Sequence, residues 1–165
     1  MTETTIDKLA AELQNALKDK GEILATAESC TGGWIAKLMT DLAGSSVSYD
    51  RGFVTYSNAA KQEMLGVSPA TLETFGAVSE ETVIAMAEGA LENSLATVSI
   101  SVSGIAGPTG GTKEKPVGTV WFGWAMAGSA TETLLIVFEG DRNAVRQQAV
   151  ATSLRKLIEL LRRST

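Results

Sequence analysis

Apolar residues recur at helical spacing at Ile6, Leu9, Ala10, Leu13 and Leu17, and Gly21 follows Lys18 and Lys20, so the chain opens with a predicted helix and a left-handed stop. Ile23 to Ala27 reads as a short buried strand. Beyond it Ile35, Leu38, Met39 and Leu42 form one helical stripe ending near Gly44. Phe53, Val54, Thr55 and Tyr56 predict a second strand. Asn58 is placed to cap a short helix that carries Lys61, turns Met64 and Leu65 inward and closes at Gly66. Ser68-Pro69 has the order of an N-cap followed by proline at the first helical position, opening a brief helix.

Ser79 is a stronger cap, with Glu80 and Glu81 in the first turn and a core face of Val83, Met86, Ala87, Ala90 and Leu91 behind it. From Thr97 to Ser103, Val98, Ile100 and Val102 alternate with serines, which predicts a strand. Gly104 to Gly118 is rich in glycine, proline, threonine and lysine and reads as a long loop, the kind that often carries function. Val120 to Met126 and Thr133 to Phe138 form an antiparallel hairpin through Gly128-Ser129, at or near a sheet edge that a second copy could cover. A last helix begins near Asp141, with an apolar stripe of Val150, Leu154, Leu157, Ile158 and Leu161 and basic residues towards its end. Helices between strands predict a layered α/β/α sandwich with a mixed, partly parallel sheet and a late antiparallel hairpin. Ligands in such folds collect outside the carboxyl ends of strands, which singles out the turns at Ser29, Tyr56 and Ser103.

Composition narrows the chemistry. With 165 residues, 44% hydrophobic and 20% charged, the chain is expected to form one domain over residues 1–165. Met1 to Thr5 lacks the basic and apolar regions of a signal peptide, and no apolar run suits a membrane span, so a cytoplasmic location is expected. One cysteine and no histidine exclude an internal disulfide and argue against structural zinc; an oxygen-ligated Mg²⁺ stays open. A net charge of −5 without a long basic stretch argues against non-specific nucleic-acid binding.

The run Ala27-Glu28-Ser29-Cys30-Thr31-Gly32-Gly33 joins a predicted strand to a predicted helix. A helix entrance offers free N–H groups to an oxyanion or a phosphate. Ser29 there is a nucleophile or merely a helix cap; Cys30 is an intrinsically stronger nucleophile or a small buried apolar side chain. Without histidine, a serine needs lysine, a carboxylate or the helix field for activation. Lys61 lies just past a predicted strand end; as a base its pKa must fall from about 10.4 to roughly 7 or 8, which amounts to about 4 kcal/mol of desolvation or cationic repulsion. Its alternative is an exposed, solvated lysine. Glu28 would oppose that fall if it faced the amine, but neighbouring strand residues point to opposite faces. Ser57, four residues before Lys61, is a rival nucleophile, and spacing alone does not choose between Ser29 and Ser57.

The runs at Thr26 to Gly33, Gly52 to Asn58, Gly76 to Ser79, Ser103 to Pro108 and Lys115 to Val120 resemble, in order and across nearly the whole chain, the CinA C-terminal domain family, above all its stand-alone nicotinamide-nucleotide amidohydrolases. Long members carry an additional N-terminal domain associated with nucleotide pyrophosphatase activity; the stand-alone form is expected here. The resemblance implies hydrolysis of nicotinamide mononucleotide to nicotinate mononucleotide and ammonia, with a Ser/Lys dyad falling on Ser29 and Lys61 and no metal or cofactor.

On that reading, backbone N–H groups of Cys30, Thr31, Gly32 and Gly33 are the expected oxyanion donors. Tyr56 is expected to hold the lysine or assist proton transfer, unless it only packs. Ser103, Gly104 and Gly107, with Arg142, are expected to bind the substrate, its phosphate included, against the alternative of a surface salt bridge for Arg142. Two other functions compete. A non-catalytic nucleotide-binding or regulatory module would use the same turns but tolerate alanine at Ser29 and Lys61. A pyrophosphatase would ordinarily need a metal held by clustered carboxylates, which the sequence does not offer.

Overall fold

The structure, a computed structural model, describes residues 3–163; Met1 and Thr2, part of the segment read for a targeting signal, lie outside the described residues. Five strands, β1 (Leu24–Glu28), β2 (Tyr49–Val54), β3 (Val98–Gly104), β4 (Thr119–Met126) and β5 (Glu132–Val137), form one sheet in the order β2-β1-β3-β4-β5. β2, β1 and β3 are parallel, and β4 and β5 continue antiparallel, as expected for a mixed sheet. α1 (Glu3–Lys20), α2 (Trp34–Thr40) and α6 (Arg142–Arg163) cover one face, and α3 (Asn58–Leu65), α4 (Pro69–Phe75) and α5 (Glu80–Glu92) lie on the other. Among the described residues no helix is long and apolar enough to cross a membrane.

The period-2 alternation of strands decides what each face receives. Leu24, Val98, Ile100, Val102, Phe122 and Trp124 join α1, α2 and α6 in the larger core. Ala25 and Ala27 join Leu65, Val67, Leu72, Met86 and Ala90 in the smaller one. On that second face β3 presents Ser99 and Ser101, both fully buried, whose hydroxyls donate to the Ala87 and Val83 carbonyls of α5 at 2.6 Å. The serines are therefore points of attachment between strand and helix rather than a solvent face. A Cβ on Gly123, paired with Ser101, would lie 2.5 Å from the Ser101 Oγ and 2.8 Å from the Val83 carbonyl oxygen, so the layers meet there through atoms no larger than a hydroxyl.

Three local expectations are corrected. β2 begins at Tyr49 and ends at Val54, earlier than Phe53 to Tyr56. Asp50, Arg51 and Gly52 are poor strand formers tolerated on this edge strand, and a Cβ at Gly52 would strike the Tyr49 hydroxyl, 2.5 Å away. The cap of α3 is Ser57, whose Oγ accepts from Ala60 N at 3.0 Å; Asn58 is the first helical residue. Of the pair predicted to turn inward, Leu65 is buried and Met64 is 41% exposed. The Ser68 and Ser79 caps, the left-handed Gly21 and the late hairpin follow the sequence reading, with β5 at the sheet edge.

Candidate active site

β1 lies between β2 and β3, and the chain leaves it first towards β2 and later returns to β3 on its other side. Such a reversal of direction opens a crevice at the carboxyl ends of parallel strands. The segments predicted to matter converge there: Ser29, Cys30, Tyr56, Lys61, Ser103, Gly104 and Arg142 all line one cavity of about 250 Å³, although Ser103 and Gly104 are the last residues of β3, paired with Trp121 and Val120, and not a turn.

Lys61 reaches this crevice from α3 and is 1% exposed. Its Nζ lies 3.1 Å from Ser29 Oγ, 2.9 Å from the Thr55 carbonyl oxygen and 3.2 Å from the Tyr56 carbonyl oxygen. Burial lowers the pKa of this amine from its ordinary value, outweighing an opposing interaction with Cys30. A neutral amine has two N–H donors and one lone pair. In that neutral form, with both donors given to the Thr55 and Tyr56 carbonyls, the lone pair would be left for the Ser29 hydroxyl proton; in the charged form the amine donates to all three oxygens. This need also explains the early end of β2, because the carbonyls of Thr55 and Tyr56 turn to the lysine instead of continuing a ladder.

Glu28 points away from the dyad, to the α2 face. It is buried, and its carboxylate accepts from Thr31 Oγ1 at 2.6 Å, Ile35 N at 3.0 Å and Ala36 N at 3.1 Å. The entrance of α2 is thus capped by Glu28 rather than open to a ligand, and Ser29 is free of the capping role, since the N-cap position belongs to Gly33. The Gly32 N–H is taken by the Ser29 carbonyl at 3.1 Å, which removes Gly32 from the expected oxyanion donors. Among the described residues, the N–H groups of Cys30, Thr31 and Gly33 donate to no other residue, but Gly33 lines a different cavity from Ser29 and Lys61. The Cys30 thiol is buried and pushed up to about 12, chiefly by desolvation, so the apolar reading of this side chain prevails over the activated one. Ser57 is occupied as the α3 cap, and of the two serines it is Ser29 that Lys61 contacts.

Tyr56 serves the lysine through its backbone, while its ring is 64% exposed and its hydroxyl lies 3.5 Å from Arg142 Nη2. Arg142 donates to the Gly107 carbonyl at 2.8 Å and forms no ion pair among the described residues. Gly107 thereby meets the site through that arginine rather than as a lining residue, and the Ile105 N–H of the same turn is used by the Thr119 carbonyl. Ser103 is buried with its hydroxyl unpartnered among the described residues. No three His, Cys, Asp or Glu side chains gather as a metal site would require, among the described residues.

One residue beside the site escaped the sequence reading. Arg146 donates from Nε to the Cys30 carbonyl at 3.0 Å and from Nη2 to the Thr31 carbonyl at 3.2 Å, and its guanidinium lies 5.5 Å from the Trp34 ring centre. A signal was present. Arg142 and Arg146 stand in the first turns of α6, where the helix dipole disfavours cations, so their placement there calls for another purpose.

Comparison with known proteins agrees with this architecture. Residues 6–161 match the family model of the CinA C-terminal domain. The nicotinamide-nucleotide amidohydrolase PncC of Escherichia coli K12 is 54% identical over 157 residues, 95% of each chain. The protein of the same name from Enterobacter agglomerans is 58% identical over 154 residues, 93% of this chain and 94% of that one. A crystal structure of the competence/damage inducible protein CihA from Agrobacterium tumefaciens superposes with a TM-score of 0.93 at 44% identity, covering 97% of this chain and 98% of the other. With the family match spanning nearly its whole length and close relatives aligned end to end, this chain belongs to the CinA C-terminal domain family.

Proposed function

We propose that this protein is a cytoplasmic nicotinamide-nucleotide amidohydrolase, a single-domain enzyme that converts nicotinamide mononucleotide and water to nicotinate mononucleotide and ammonia. The observation that carries the reading is the 3.1 Å contact between the buried amine of Lys61 and the Ser29 hydroxyl, in a chain more than half identical to amidohydrolases of that name.

Neutral Lys61 takes the Ser29 proton as Oγ bonds to the carboxamide carbon, and the carbonyl electrons move to oxygen. The N–H groups of Cys30 and Thr31 receive that oxyanion. Collapse breaks the carbon–nitrogen bond, the Lys61 ammonium returns its proton to nitrogen, and ammonia leaves behind an ester on Ser29. Water then attacks this ester with Lys61 again as base, releasing the carboxylate product and restoring the serine. The Thr55 and Tyr56 carbonyls stabilise the ammonium form between the two proton transfers. Arg142, exposed at the mouth of the cavity and without a carboxylate partner among the described residues, is assigned to the phosphate. Ser103, with its free hydroxyl, and Gly104, where a side chain would crowd Val120, line the bed for the nicotinamide group.

The test is ammonia release from nicotinamide mononucleotide in the presence of EDTA. Turnover by the wild type that is lost in Ser29→Ala and Lys61→Ala supports the reading. A folded wild type that releases no ammonia would refute it.

A further inference from the structure

We infer that Arg146 is a positioning residue for the oxyanion donors: by holding the Cys30 and Thr31 carbonyls from the α6 side, it fixes the Cys30–Thr31 peptide so that the Thr31 N–H faces the reacting carbonyl. The inference rests on the proposed role of Ser29 and adds the part that orients its partner donors.

In a planar trans peptide the C=O and the following N–H point in opposite directions. The Cys30–Thr31 bond is trans, since the only cis bond among the described residues is Gly107-Pro108. Arg146 Nε binds the Cys30 carbonyl at 3.0 Å, so the Thr31 N–H of that same peptide is directed away from Arg146. It donates to no other residue among those described.

The turn forms a partition between two cavities. On one side is the space lined by Ser29, Cys30 and Lys61; on the other a larger space of about 760 Å³ lined by Thr31, Gly32, Gly33, Trp34 and Arg146. The Cys30 carbonyl is held on the second side by Arg146, which leaves the buried Thr31 N–H directed away from that side. The neighbouring peptide is held from both ends, with the Thr31 carbonyl accepting from Arg146 Nη2 at 3.2 Å and from Trp34 N at 3.1 Å, and the Gly32 N–H bound to the Ser29 carbonyl.

Three features mark Arg146 as built for this task. Its guanidinium lies over the Trp34 ring, which limits its rotation. It makes no ion pair with a carboxylate among the described residues, so its charge is left to polarise the peptides it contacts. Its fork engages two successive carbonyls, which a lysine's single nitrogen reproduces poorly.

The test compares wild type with Arg146→Lys, Arg146→Gln and Arg146→Ala in steady-state hydrolysis of nicotinamide mononucleotide, alongside Ser29 phosphonylation by a fluorophosphonate read by intact mass. Both reactions place charge on an oxygen beside the same donors, but only the first depends on the natural substrate. We expect kcat to fall about 10²-fold in Arg146→Ala and Arg146→Gln, the scale of a lost oxyanion donor, with KM within about threefold. Phosphonylation should slow in parallel, Arg146→Lys should fall between, and free guanidinium should restore at least about tenfold of the Arg146→Ala rate, because the vacated space opens onto the larger cavity. Equal kcat and equal phosphonylation across the series would overturn the role of Arg146 while leaving the amidohydrolase intact. So would a rate loss that tracks the folded fraction and is not rescued by guanidinium, which would make Arg146 merely structural. A wild type that is phosphonylated on Ser29 but inert towards the nucleotide refutes the substrate assignment alone, and the phosphonylation series then decides on Arg146. If neither reaction occurs, Ser29 is not the nucleophile and the inference falls with it. Should Arg146→Ala fail to fold, Arg146→Gln and Arg146→Lys carry the same comparison.

Discussion

Glu28 and Ser29, consecutive in the chain, work on opposite faces of the sheet: the carboxylate of Glu28 caps α2 on one side, and the hydroxyl of Ser29 meets Lys61 on the other. The strand's two-residue period keeps a full negative charge away from an amine that must give up its proton. Replacing Glu28 by Gln would leave one of three donors poorly matched in a buried site. We expect a loss of about 2 kcal/mol or more in unfolding free energy. Urea titration checks this, and unchanged stability would show that the cap does not hold the turn.

Ser29→Ala and Lys61→Met should each lower ammonia release by roughly 10³-fold or more, since they remove the nucleophile and its base. Ser57→Ala should remain active while losing about 1 kcal/mol of stability as a lost N-cap. A coupled ammonia assay with parallel thermal melts separates the two effects. Activity lost in Ser57→Ala with the fold intact would restore the rival serine.

The lowered pKa of Lys61 makes two pH predictions with one sign. The rate should rise with pH as Lys61 loses its proton, with an apparent pKa below the 10.5 of an ordinary lysine. Between its folded pKa and 10.5 the unfolded chain binds the extra proton, so wild-type stability should also rise with pH in that window. Lys61→Met has no such proton, and its stability relative to wild type should fall as pH increases through that window. Parallel stability curves for the two proteins would contradict the burial of the amine.

Cys30 should behave as an apolar side chain. With its thiol pushed up to about 12, it should resist alkylation by iodoacetamide near neutral pH in the folded protein and react only on unfolding. Cys30→Ala should retain kcat within a few fold, because the proposed contribution of this residue is its backbone N–H. Rapid alkylation of the native enzyme with loss of activity would return Cys30 to the list of nucleophiles.

Much of the site could be read from the chain because its carriers are local. Ser29 and Tyr56 each follow a strand, Ser103 lies at the end of one, and the caps at Ser68 and Ser79 use hydrogen bonds three residues long. The cap at Ser57 lies one residue before the predicted Asn58, since serine and asparagine serve that position equally well. The start of β2 is not legible in the sequence because Asp50, Arg51 and Gly52 carry no apolar pattern; their strand conformation comes from pairing with β1. Which N–H groups of the Ser29 turn stay free depends on Glu28 and on the Ser29 carbonyl, a competition that spacing does not resolve. Arg146 lies 116 residues beyond the Cys30 carbonyl it binds, and only the folded chain brings the two together.

The buried serines of β3 have a consequence for the lysine. Their hydroxyls join β3 directly to the α5 backbone, and a side chain on Gly89 of α5 would collide with the Leu65 carbonyl at the end of α3, the helix that carries Lys61. Strand, helix and helix are thus stacked through short hydrogen bonds and a close backbone approach with little compliance, a spacer where most cores have a cushion. The stand-off between amine and hydroxyl is therefore calibrated from the interior, at positions that touch no substrate. Tuning this enzyme's proton transfer by design would start with the gauge of that sheet face, before any change to the loops around the cavity.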